Sequence, residues 1–338
     1  MIESMKKLIL FFAAAMMLIS GADCEARKAG KQKEASNTLR LLYWNIQNGM
    51  WDGQDDNFDR FTAWVSEQHP DVCVWCEAQP IYKSGTADKL DEINEWRKDA
   101  PLIEFWEKMA ARYGHKYVYL GGHRDNYPQV ITSTLPIESV DRIVGAKPDS
   151  IVSHGAGWAR IQVADRPINI VTLHTWPQAY TMTAKTPEER EQSKAVRGGD
   201  YYRRMEMEYI CKHTVLTSRD AGKEYWMMMG DFNSISSKDN WIYQIAGSDS
   251  RFLVHDFILN DTPYIDIIGD LYPGVFFTST GGRSRIDFVY ATEPLMKCVK
   301  DARIVTDSYT NPVRDAKKIS NFWHPSDHRP IIVNFEFK

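Results

Sequence analysis

The stretch HPSDHRP, residues 324–330, sets Asp327 and His328 side by side just ahead of a hydrophobic run. Five other places end or carry an apolar run with side chains able to do chemistry. YWNIQNG brings Asn45, Gln47 and Asn48, VWCEAQP brings Glu77, and VTLHTWP brings His174. MMMGDFNS brings Asp231 and Asn233, and SRIDFVY carries Asp287. Each has an ordinary explanation alone: a loop amide bonding its own backbone, a core histidine, a turn built from Gly, Asp and Asn. The set as a whole holds carboxylates for a divalent cation, a carboxylate able to orient an imidazole, and amides able to bind an oxyanion. That is the equipment for metal-assisted attack of water on phosphorus. A hard cation such as Mg2+ takes oxygen ligands, commonly one or two carboxylates plus waters and substrate phosphate. Glu77, with Asn45 close by in the pattern, suits that role.

In this order, Asn45, Glu77, His174, GDFN, RIDFVY and SDHRP, the pattern resembles the endonuclease/exonuclease/phosphatase superfamily of deoxyribonuclease-like, metal-dependent phosphoesterases. The resemblance runs from about residue 39 to the C-terminus; GDFN after an apolar strand and SDH before the last strand are its most specific parts. It implies a four-layer α/β sandwich, with two mainly antiparallel sheets face to face and helices outside. Carried over by motif, Glu77 is the chief metal ligand, with Asn45 and Asp327 near the ion, Mg2+ or Mn2+. Asp231 positions or deprotonates the attacking water, Asn233 and His174 bind the phosphoryl oxygens, and Asp287 holds His328. Tyr127 matches a phosphate-contacting tyrosine of some nucleases. Gln47 departs from the pattern, standing where many nuclease members have an aspartate.

The elements that must position these groups are legible as periodicity. TLRLLYWNI and DVCVWCE read as strands, and the stretch DDNFDRFTAWVSEQH between them as a helix with Phe58, Phe61 and Val65 on one face and Asp55 or Asp56 as its cap. A second helix is expected over 99–113, with Pro101 in its first turn. HKYVYL, PQVITST, IESVDRIV, GWARIQVA and INIVTLH follow as strands, the last two joined by an ADRP hairpin turn. YYRRMEMEYICKHTV is helical; YWMMMGD, SRIDFVY and IIVNFEF are strands; LYPGVFFTS reads as a strand leading into SRIDF. Strands in consecutive groups with helices between some of them argue for packed sheets rather than one alternating parallel sheet.

The 338 residues, 43% hydrophobic and 12% aromatic, suffice for one large domain, expected over 39–338. Lys6 and Lys7 precede an apolar run over 8–19 and then small residues, the order of a secretory signal over 1–26 and too short to span a bilayer. Residues 27–38 read as a flexible polar leader. An exported protein, periplasmic or secreted, is expected; Asp23 ahead of Cys24 argues against lipid anchoring, and no later run is apolar for long enough to cross a membrane. A net charge of −4 means that a polyanion would need a local basic patch or a bound cation. Cys73 and Cys76 form a CxxC inside a strand, where their odd spacing points them to opposite faces, so they read as core.

The expected substrate is a phosphate ester: nucleic acid, nucleotide, sugar phosphate or phospholipid. A phosphodiesterase of nuclease type leads. A phosphomonoesterase or a sphingomyelinase-like phospholipase on the same fold is the alternative, and a non-catalytic binding module would have lost one of the core polar positions. No protein partner can be inferred. His123, Arg124 and the Arg203–Arg204 pair are further basic candidates for phosphate contact.

Overall fold

A computed structural model describes residues 37–50, 56–80, 98–123, 127–145, 151–314 and 323–338. The expected signal over 1–26, nearly all of the leader, and Arg124 lie outside the described residues. The first sheet has the order β11-β14-β1-β2-β4-β3. Its strands are β1 (Thr38–Asn45), β2 (Val72–Cys76), β3 (Tyr117–Leu120), β4 (Val130–Ser133), β11 (Val299–Ile304) and β14 (Ile331–Glu336). The second has the order β5-β6-β7-β8-β10-β9, built from β5 (Glu138–Ile143), β6 (Ala156–Val163), β7 (Arg166–His174), β8 (Tyr225–Asp231), β9 (Tyr264–Asp266) and β10 (Asp287–Thr292). A short ribbon pairs β12 (Val313–Arg314) with β13 (Trp323–His324).

Alternation along each strand decides the layers. Leu41, Tyr43 and Val74 of the first sheet meet Ile161, Ile170, Met227, Met229 and Val289 of the second in the central core. Their neighbours Leu42, Trp44, Cys73 and Trp75 point outward, under α1 (Asp59–Gln68) and α2 (Asp99–Arg112). Leu173, Trp226, Met228 and Phe288 do the same beneath α4 (Gly198–Lys212) and α5 (Leu253–Asp261), while α3 (Pro187–Ala195) buries none of its residues. The result is the four-layer sandwich. Trp44, Trp75 and Trp226 are fully buried core, as are Cys73 and Cys76 on their opposite faces, where burial pushes both thiols up. Among the described residues no helix is long and apolar enough to cross a membrane.

Three local expectations change. The cap of α1 is Phe58 in the left-handed region, with no side-chain cap, and Asp56 pairs instead with Arg60 at 2.8 Å. The LYPGVFFTS stretch is not a strand: α6 (Ile267–Leu271) ends there, a turn closes from Tyr272 O to Val275 N at 3.1 Å, and irregular chain follows. Asp287 opens β10 rather than lying inside a strand, and it is wholly buried.

Both sheets are antiparallel except for one pair each, β1·β2 and β7·β8. Parallel neighbours carry both C-terminal ends to the same edge. That geometry sets Asn45 beside Cys76, hence next to Glu77, and His174 directly beside Asp231.

Candidate active site

Asp231 ends β8 between two partners in register, His174 on β7 and Asp287 on β10. From the other sheet, Asn45 donates through Nδ2 to Asp231 Oδ2 at 3.2 Å and to Glu77 Oε1 at 3.3 Å. One amide therefore spans two carboxylates from different sheets. Its own oxygen accepts the Gln47 N–H at 3.0 Å. Four successive residues beyond Ile46, namely Gln47, Asn48, Gly49 and Met50, all have positive φ and wrap Glu77. Asn48 N–H reaches Glu77 Oε2 at 3.2 Å, and Gly49 N–H reaches the Glu77 carbonyl at 2.8 Å. A Cβ on Gly49 would stand 2.4 Å from the Gln79 carbonyl oxygen, so only glycine fits this left-handed position. Glu77 (φ 54) and Asn233 (φ 47) are also left-handed, strain of the kind that collects at functional sites.

The SDH segment is stitched to β1. Ser326 Oγ donates to the Asn45 carbonyl at 2.7 Å, and Trp44 Nε1 donates to the His328 carbonyl at 2.9 Å. His328 Nδ1 meets Asp287 Oδ2 at 2.7 Å, which turns Nε2 toward Asp231 at 3.7 Å and Asp327 at 3.8 Å. Asp287 is held in turn by Tyr43 Oη at 2.8 Å and Ser279 Oγ at 2.7 Å. Asn233 N–H bonds Asp231 Oδ1 at 2.9 Å, and its Nδ2 gives one hydrogen to the Thr175 carbonyl at 3.0 Å, leaving the second for a ligand.

Glu77, His174, Asp231, Asn233, Asp327 and His328 line a cleft of about 250 Å3, with Gln47, Asn48, Tyr127, His154 and Pro177 completing its walls. The Tyr127 ring stands edge-on to His154 at 4.6 Å and to His174 at 5.8 Å. All nine expected site residues thus converge on one place. The other basic candidates go elsewhere: His123 bonds Asp99 at 3.2 Å, Arg203 is buried against Asp200, and Arg204 pairs with Glu208 at 2.7 Å. Asn48, singled out in the YWNIQNG motif, serves through its backbone N–H. Three residues of the site escaped the sequence reading as functional groups. Tyr43 and Ser279 gave no local signal, since their roles lie in contacts made by folding. His154 had one, a lone histidine at a strand start in SHGAG.

The charges are poorly balanced. Burial, then repulsion from Asp327, pushes Glu77 up to about 7, against opposing pulls from His328 and Asn45. Burial raises Asp231 to about 7 as well; His328 opposes this, while Asp287 and Glu77 add to it. Asp327 is raised by burial. Burial alone would lower His328, but Asp287, Asp327 and Asp231 together hold it well above its ordinary value, as an imidazolium. His174 is lowered, by burial first and then by His154 and His328, so it is neutral. Its Nε2 lies 3.6 Å from Asp231 and 4.0 Å from Glu77, and its buried Nδ1 bonds nothing among the described residues.

Buried carboxylates that also repel one another favour a positive charge between them. Glu77, His174 and Asp231 offer ligand atoms within 4.8 Å of one another, as do Asp231, Asp287 and His328. Oxygen-rich donors of this kind fit a hard divalent ion.

The sequence model of the Endonuclease/Exonuclease/phosphatase family matches residues 42–328. The chain belongs to that family. It is therefore a metal-dependent hydrolase of phosphate ester bonds. No curated protein sequence matches it. Among solved structures it is similar to an AP endonuclease from Archaeoglobus fulgidus, at 17% identity and a TM-score of 0.56, over 88% of this chain and 99% of that one. A humanized D. rerio TDP2 is similar at 11% identity and a TM-score of 0.54, over 89% and 99%. An endonuclease/exonuclease/phosphatase family protein from Bacteroides thetaiotaomicron is similar at 13% and 0.51, over 89% and 98%. At such identities the likeness establishes the fold.

Proposed function

We propose that this family member is an exported, Mg2+-dependent phosphodiesterase of nuclease type, with the domain spanning 39–338. The observation that carries the catalytic part is the convergence of Glu77, Asp231 and Asp327 on one cleft with His328 as their cation, its ring backed by buried Asp287. Glu77 and Asp327 are the carboxylates to hold the ion, and Asn45, bonded to Glu77, lies at the same corner. A bound divalent ion supplies Lewis-acid stabilisation of charge on the phosphoryl oxygens.

The chain's own groups do the rest. Asp231, raised toward neutrality and unprotonated above it, takes the proton from the attacking water. His328 is a cation and so acts as charge stabiliser and acid, its ring fixed by Asp287. Neutral His174, the second amide hydrogen of Asn233 and the Tyr127 wall face the phosphoryl oxygens as charge builds there. A nuclease substrate is supported by the fold shared with an AP endonuclease. Export rests on Lys6, Lys7 and the apolar run over 8–19.

A phospholipid substrate is the second reading, and one observation favours it. Trp241 and Val275 line one shallow pocket and are 48% and 52% exposed; Ile242, beside Trp241 in the chain, is 43% exposed. The test is EDTA-reversible hydrolysis of matched aryl phosphate diesters and monoesters, followed by nucleic acid and phospholipid vesicles. Preference for the diester and for nucleic acid is expected. Preference for the monoester, or for vesicles alone, would replace the nuclease reading.

A further inference from the structure

α4 buries three polar residues, Asp200, Arg203 and Glu206, at a spacing of three, which places them along one helical face. Glu206 is wholly buried. Its Oε1 accepts from both the backbone N–H and the hydroxyl of Ser153, each at 2.6 Å, and its Oε2 accepts the Trp176 N–H at 2.9 Å. Arg203 takes the other side of the same residue, with Nη1 donating to the Trp176 carbonyl at 2.9 Å and the Gln178 carbonyl at 3.1 Å. Arg203 is itself paired with Asp200, which also accepts from Ser250 Oγ at 2.6 Å.

The two segments that Glu206 grips are walls of the cleft. Ser153 immediately precedes His154, and Trp176 follows His174 by two residues. The His154 and His174 rings lie 4.5 Å apart at 34°, and Trp176 lies 6.1 Å from His154 at 30°. On its inner side, the segment after His174 is tied to the GDFN turn, Thr175 N–H to the Asp231 carbonyl at 3.0 Å and Thr175 Oγ1 to the Phe232 carbonyl at 2.6 Å. The outer side of that segment is held by α4.

A buried carboxylate is a costly filler, since desolvating the ion costs several kcal/mol. Leucine would fill the space. Glutamine would present one acceptor and one donor, and so could not accept from both segments. The chemistry of the position calls for two acceptor atoms facing two different loops.

We infer that Glu206 is a positioning residue that fixes the spacing between the 153–155 and 174–178 segments, so that His154 and His174 stand ring to ring as one wall of the cleft. The activity part of this inference rests on the phosphoesterase reading above; the holding part does not.

The experiment compares the full chain with Glu206→Gln by EDTA-reversible turnover of an aryl phosphate ester and by amide hydrogen exchange. In Glu206→Gln, kcat falls about tenfold to a hundredfold, while the Mg2+ concentration for half-activation stays at the wild-type value, because Glu77 and Asp327 are untouched. Exchange at the Ser153 and Trp176 amides rises about tenfold or more, with β8 unchanged. Ser153→Ala, which removes one of three donors, gives a smaller fall in kcat, and Ser153→Thr restores it. A folded Glu206→Gln protein with wild-type kcat overturns the inference, whether or not its loops exchange faster. Should Glu206→Gln fail to fold, equal kcat in Ser153→Ala and wild type overturns it. Should the wild type turn over no ester, the functional reading has failed instead, and unchanged exchange at Ser153 and Trp176 then overturns the holding role by itself.

Discussion

Two clusters of acids among the described residues are treated differently. In one, Arg285 bonds Asp266 through both terminal nitrogens at 3.0 and 2.7 Å, bonds Asp239 at 2.8 Å, and lies over the Phe288 ring at 4.3 Å. In the other, Glu77, Asp231 and Asp327 line a cleft with His328 as their cation, and Asp287 backs that histidine. The first cluster carries a permanent cation in a fixed fork, and its two carboxylates overcome the effect of burial to raise the guanidinium further. The second leaves Glu77 and Asp231 near 7. Acidity alone is therefore a poor guide to function; whether a permanent guanidinium neutralises the acids is the better one.

The comparison breaks most sharply at the second cluster. Asp231→Asn and His328→Ala should each lower kcat by about 10²–10⁴-fold with an unchanged circular dichroism spectrum. Near-wild-type turnover in either would mean that the acids gather there for some other reason. At the first cluster the loss should be one of stability. Arg285→Met strands two buried carboxylates and should cost about 3–5 kcal/mol in urea unfolding. Adding Asp239→Asn and Asp266→Asn should recover much of it. An unaffected midpoint in the single variant would show that the arginine compensates nothing.

Proton linkage separates the clusters more gently. Glu77 and Asp231 have folded values of about 7, above the ordinary 4.5 and 3.8, so folding favours their protonated forms. The stability they contribute to the metal-free protein is complete below those ordinary values and is lost as pH rises through about 7. Mg2+ binds the deprotonated forms, so the rise in Tm that it produces should grow between about pH 5.5 and about pH 8. A Mg2+ response that is flat with pH would place the ion elsewhere. Tyr127→Phe, which keeps the ring against His154 and His174, should show the smallest effect, a fall in kcat of a few-fold at most.

Much of this was readable beforehand, for a physical reason. Strands such as 225–231 announce themselves because alternate residues must enter different cores, and a polar residue where such a run stops marks the sheet edge. The positions of Glu77, His174 and Asp231 follow from that rule. Asp287 lies on the expected strand but opens it, because the SRI ahead of it continues the apolar alternation in sequence while its chain is outside the regular strand. Tyr43 was unreadable as a partner of Asp287, since 244 residues separate them and only the face-to-face packing of two sheets brings them together. The LYPGVFFTS stretch misled because aromatic and branched residues favour strands, yet Pro273 and Gly274 set a turn there.

One feature of the sheet orders bears on how such a chain can diverge. The strands that carry or adjoin the site residues, β1, β2, β4, β6, β7, β8, β10 and β14, are all interior to their sheets; the four edges are β3, β5, β9 and β11. A heritable change that lengthens, twists or replaces an edge alters the outline presented to a substrate without disturbing the register between Asn45 and Glu77 or between His174 and Asp231. The architecture thus separates what a lineage may vary from what it must keep, and a designer wishing to graft a new recognition loop should begin at those four borders.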